Sequence, residues 1–157
     1  MGGHYLGLAL AVILAGLLIV AAVTDIRSRI ISNRLNLVIA ALAPAFWLAM
    51  GVEPWPGMAF QLAQGLIVLI LFTGLFALGM MGGGDVKLLA AISLWLPLPA
   101  LGFLIVLMSV LGGAVTLVTA VHHRMTKRLG RPEIPYGVAI ALAGLWVVGE
   151  RYINQFA

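Results

Sequence analysis

The sequence predicts an all-α membrane protein, a polytopic bundle of six transmembrane helices, and three observations carry that reading. Of its 157 residues, 63% are hydrophobic and 9% are charged, where a soluble domain has about 25% charged residues; the mean hydropathy is +1.15. The apolar residues form continuous runs, not the apolar–polar alternation of a membrane β-barrel. Most of the nine lysines and arginines fall in two short polar segments beside those runs, which is the pattern that orients membrane spans. The length suits one domain, residues 1–157.

The first apolar run, residues 5–23, is long enough to cross about 30 Å of hydrocarbon. It is too long for a signal-peptide core and has no basic leader, so it reads as a retained span. Residues 24–36 are polar and hold Asp25, Arg27, Arg29 and Arg34. The second span covers 37–50, with Pro44 predicting a kink. Residues 51–57, with Glu53, Pro54 and Pro56, form a loop, and Trp47 and Trp55 beside it fit an interfacial aromatic belt. A third span, 60–81, leads into Gly82-Gly83-Gly84-Asp85-Val86-Lys87. The fourth, 86–96, ends at Pro97 and Pro99 and measures only about 16 Å as a helix. The fifth covers 101–121, a second basic segment 122–135 holds Arg124, Lys127, Arg128 and Arg131, and the sixth begins at Tyr136 and runs to 148. Gly65, Gly74, Gly112, Gly113 and Gly144 are placed for close helix contacts.

Orientation follows from the cations. Both basic segments are expected on the cytoplasmic side and 51–57, which carries Glu53 and no cation, outside. A re-entrant fourth span would deliver 122–135 to the outside against its charges, so a true crossing is expected, helped by local thinning of the bilayer. Both termini are then external. The net charge of +4 is read as this orientation signal and not as a nucleic-acid surface. With no cysteine in the chain, a disulfide, a zinc–thiolate site and a cysteine nucleophile are excluded.

Five carboxylates remain: Asp25, Glu53, Asp85, Glu133 and Glu150. Asp25 follows span one and Asp85 follows span three, and both spans run inward, so both aspartates arrive at the cytoplasmic edge of the membrane. An ionisable group at membrane level is costly and marks a functional position. Two facing aspartates point to aspartic-protease chemistry, one taking a proton from water and the other donating to the scissile carbonyl, the pair sharing one proton. Gly82, Gly83 and Gly84 allow positive φ and close approach of another chain. Bland readings stay open: Asp85 capping span four, Asp25 pairing with Arg27, Arg29 or Arg34, and Lys87 either snorkelling to the interface or tuning the acid two positions away. His122 and His123 point apart on a helix and suit a solvated segment, and no metal or cofactor is expected. Ser28, Ser32, Ser93 and Ser109 lack an oriented base.

These residues resemble a known family. Asp25 in Thr-Asp-Ile-Arg-Ser-Arg-Ile-Ile-Ser-Asn-Arg-Leu-Asn resembles the first catalytic segment of the type IV prepilin peptidases. Met81-Gly-Gly-Gly-Asp85-Val-Lys-Leu-Leu-Ala-Ala resembles their second, the Gly-x-Gly-Asp motif shared with presenilin-type intramembrane proteases. Ile134-Pro-Tyr-Gly-Val-Ala-Ile140 resembles a segment at the start of the family's last helix. The resemblance implies a membrane aspartic endopeptidase of the bacterial inner membrane with Asp25 and Asp85 as its pair. It implies removal, at the cytoplasmic face, of the short basic leader of a prepilin or pseudopilin, whose apolar helix would lie against the enzyme's spans. Gly82 and Gly84 would let the substrate backbone approach Asp85. Longer members carry an N-terminal insert, often with cysteine pairs, associated with N-methylation; this chain starts almost directly with span one and has no cysteine, so methyl transfer is not expected. The short form resembles the dedicated peptidases of Flp-type (tight-adherence) pili.

Two other classes use the same residues. A small transporter or proton channel would carry flux in proteoliposomes, although transport sites usually lie near the midplane. A non-catalytic assembly subunit, with the acids as caps, would leave a synthetic prepilin uncut.

Overall fold

The computed structural model describes residues 2–125 and 136–156, which form six helices and, among the described residues, no strand. They are α1 (Gly2–Ser28), α2 (Asn33–Ala49), α3 (Ala59–Ala77), α4 (Gly83–Ser93), α5 (Leu98–Met125) and α6 (Tyr136–Phe156). A short turn, Pro54–Met58, leads into α3. Among the described residues three segments are long and apolar enough to cross a membrane, Gly2–Ser28, Pro54–Ala77 and Leu98–Thr119, and Asn33–Ala49 is a shorter apolar helix. The side chains of His122, His123 and Arg124, and the segment that holds Lys127, Arg128, Arg131 and Glu133, lie outside the described residues.

Several boundaries differ from the sequence reading, each for a local reason. The helix of span one does not stop before the polar segment: α1 continues through Asp25 to Ser28 and ends where Arg29 turns left-handed at φ 56°. Its buried stripe, Gly7, Leu10, Leu14, Leu18, Ala21 and Asp25, keeps helical spacing, so Asp25 is the last member of a core-facing row. Ser32 caps α2, its hydroxyl accepting from the Leu35 N–H at 3.2 Å. The third span, expected to reach Met81, stops at Ala77. Gly79 takes φ 70°, its N–H bonds Phe76 O at 2.9 Å and the Met80 N–H bonds Leu75 O at 3.0 Å, the double closure of a Schellman end. α2 runs unbroken through Pro44.

The short fourth helix is the centre of the bundle. α4 packs on α2, α3 and α6, while α1 packs on α2 and α6, and α5 on α6. Eight of the eleven residues of α4 are buried: Asp85, Val86, Leu88, Leu89, Ala90, Ala91, Ile92 and Ser93. Sheathed in protein, α4 has no need to match the bilayer in length. Its last carbonyls lie inside an apolar bundle and must find side-chain donors. Gln64 of α3 supplies two, to Ser93 O at 2.8 Å and Leu96 O at 2.9 Å. Trp47 of α2 supplies a third, to Leu94 O at 2.7 Å. Trp47 is therefore a buried capping residue, not a member of an interfacial belt as expected, whereas Trp55 is 80% exposed. Of the small residues, Gly65 meets Leu94, Gly112 meets Tyr136, and Gly144 meets Leu18 and Ile92, but Gly74 and Gly113 have open space beside them.

Candidate active site

One end of the bundle collects the C-terminus of α1 and the N-termini of α2, α4 and α6. Asn36 of α2 donates from Nδ2 to Gly84 O at 3.1 Å. The Val138 N–H of α6 donates to Asp25 Oδ2 at 3.1 Å. These bonds cross from one helix to another and fix the relative heights of their ends.

Asp25 and Asp85 meet there. Asp25 is 4% and Asp85 8% exposed. They flank Gly137, the second residue of α6: a methyl group built on Gly137 would stand 2.9 Å from Asp25 Oδ2 and 2.9 Å from Asp85 Oδ1. The two oxygens are thus no further apart than twice that distance, within reach of a proton shared through one water. The other oxygen of Asp85, Oδ2, faces Gly82, 2.8 Å from where a Cβ on that glycine would lie. Asp85 stands in the first turn of α4, and Asp25 abuts the first turn of α6. The positive ends of two helix dipoles therefore converge on the pair and offset part of the cost of a carboxylate in an apolar bundle.

The glycines achieve this by being small. Gly82 precedes α4 with φ −73°, and the positive-φ glycines among the described residues are Gly51 and Gly79, so the positive φ that 82–84 allow is not used there. Gly83 lies under the Phe76 ring, 3.3 Å from its would-be Cβ, and Gly84 lies against Ile31, at 3.2 Å. Ile31, buried at 6% exposure, comes from the turn between α1 and α2 and reaches both Gly84 and Gly137. It roofs the carboxylates. The space beside Gly84 is filled by Ile31, whereas Gly82 is exposed.

Lys87 does not face the pair. It lies two positions on from Asp85, about 200° around the helix, and its Nζ donates to Asn33 Oδ1 at 2.8 Å. Glu53 and Glu150 are exposed and lie toward the other end of the bundle. Among the described residues no cluster of three or more His, Asp or Glu is present. The residues that sequence reading missed are Gly137, Ile31 and Asn36. Gly137 sits within the 134–140 segment already singled out; the signal for Asn36 was an amide inside an apolar helix.

The pattern that defines the type IV leader peptidase family matches residues 12–117. A prepilin leader peptidase/N-methyltransferase of Bacillus subtilis (strain 168) is 32% identical over 151 residues, covering 93% of this chain and 58% of that protein. The chain thus spans less than two thirds of the length of this curated relative. No solved structure matches it.

Proposed function

The chain belongs to the type IV leader peptidase family, and from that premise we propose that it is a membrane aspartic endopeptidase that removes the leader of a prepilin or pseudopilin with Asp25 and Asp85. The observation that carries this reading is the convergence of the two buried carboxylates on the hydrogen of Gly137. The two aspartates lie sixty positions apart in sequence. Capping alone does not require Asp25 to face Asp85.

The chemistry needs one proton on the pair. The ionised carboxylate takes a proton from water, whose oxygen adds to the scissile carbonyl carbon. The protonated carboxyl donates to the carbonyl oxygen as the tetrahedral intermediate forms. When the C–N bond breaks, the protonated carboxyl gives its proton to the departing amine while the other carboxylate takes one from a hydroxyl of the intermediate as the carbonyl reforms, so the pair again holds one proton. Val138 N–H holds Asp25 Oδ2 in place, and Gly82 lies against Asp85 Oδ2. The substrate backbone would approach at Gly82, which is exposed, and not at Gly84, which Ile31 covers.

The test is cleavage of a synthetic prepilin by purified protein in defined lipid. Asp25→Asn and Asp85→Asn should each lower the rate by about 10³-fold or more, while each variant still inserts and elutes as the wild type does. Cleavage at the wild-type rate by either variant overturns the assignment.

A further inference from the structure

The face of α4 opposite Asp85 carries a second feature. Lys87, Ala90, Ala91 and Leu94 form its stripe, and they floor a groove of about 500 Å³ between α2 and α3. Leu37 and Ala40 of α2 and Leu62, Leu66 and Leu69 of α3 form the walls. Apart from one end, the lining is apolar. At that end stand Asn33, Asn36 and Lys87, level with the first turns of α2 and α4 and so with the edge of the bundle.

Two groups at the mouth are chemically unfinished. The Lys87 ammonium has a neutral partner, Asn33 Oδ1, and the acid nearest in sequence, Asp85, is on the other side of the helix. Asn36 is 4% exposed; its Nδ2 is committed to Gly84 O, which fixes the amide orientation, and its Oδ1 is buried with no donor among the described residues. A ligand that fits here has an anion and a slender apolar tail. A peptide helix is about 10–12 Å across, too wide to settle into this volume for more than about a turn, and a substrate lying here would have α4 between its backbone and Asp85. An acyl chain is a single file of methylenes.

We propose that the groove between α2 and α3 holds one acyl chain of an anionic phospholipid, with the phosphate on Lys87. Basic pockets between helices at the membrane edge bind such headgroups by this chemistry. The site would brace α4, and through the Asn36–Gly84 bond it touches the turn that carries Asp85.

Native mass spectrometry of the intact protein released from nanodiscs of phosphatidylcholine with phosphatidylglycerol as the minor component tests this. The wild type should retain one phosphatidylglycerol in preference to phosphatidylcholine. Lys87→Gln should reduce that preference about five-fold, the worth of one surface cation at a lipid headgroup. Ala40→Phe, which fills the groove without touching the mouth, should remove the retained lipid of either kind. Free glycerol phosphate should not displace it, because the tail supplies the apolar part of the binding. Equal retention of both lipids, or an unchanged preference in Lys87→Gln, overturns the proposal. So does displacement of the lipid by the apolar helix of a prepilin, which would assign the groove to substrate.

Discussion

A side chain on Gly137 has nowhere to go: its first carbon would touch Asp25 Oδ2, Asp85 Oδ1 and the tip of Ile31 together. Ile31 is flexible at its end, but the carboxylates are held, one by the Val138 N–H and one by its place in the first turn of α4. Gly137→Ala should therefore push the two acids apart by a few tenths of an ångström to an ångström. A displacement of that size costs about 10²-fold in rate, expected in kcat with KM little changed. Gly144→Ala is the control. Its methyl would meet Leu18 Cδ1 at 3.0 Å and Ile92 Cδ1 at 3.5 Å, far from the acids, so it should cost stability by about 1 kcal/mol or more without altering the pH profile of cleavage. Equal losses of kcat in both variants would reduce Gly137 to a packing residue. The two aspartates were legible in the sequence because an acid at membrane level stands out against apolar neighbours. Gly137 was legible only as part of a motif, since a glycine carries no mark of which groups crowd it.

At the scale of elements, α4 explains which parts of the fold could be read ahead. Apolar runs and loop charges gave six helices in order, because those signals are local. The Gly79 stop was also local, and a glycine followed by Met80 and Met81 after a long run is a C-terminal signal that was passed over. The work of Gln64 and Trp47 was not legible. A tryptophan near a span end reads as an interfacial anchor, and only the depth at which α4 stops turns it into a cap for Leu94 O. That depth is a tertiary fact. Gln64→Leu should leave Ser93 O and Leu96 O without their donor and lower stability by about 1–2 kcal/mol. Trp47→Phe, which loses one such bond and keeps most of the ring, should cost about half as much. Thermal unfolding in detergent measures both. If Gln64→Leu matches the wild type in Tm, the carbonyls are satisfied in another way and the capping account fails.

For the whole molecule, the remaining question is which compartment the acids face. Arg27, Arg29 and Arg34 flank Asp25 at the end of the bundle where the pair lies, and Glu53 is in the turn between α2 and α3 at the other end. Cations in short segments beside spans stay on the cytoplasmic side, so the pair should open inward. A basic leader would be held on that side by the same rule, and the enzyme would cut it where it is made. The chain has no cysteine, so single cysteines report without background. Ser28 and Trp55 are both exposed and lie at opposite ends. In intact spheroplasts, a membrane-impermeant maleimide should label Trp55→Cys at once and Ser28→Cys only after permeabilisation. The reverse pattern would put the aspartates outside, where a leader that had not crossed could not reach them. Such a result would leave the carboxylate geometry intact and remove the substrate from it, so the cleavage assay and the labelling assay fail independently and together identify which part of the account is wrong.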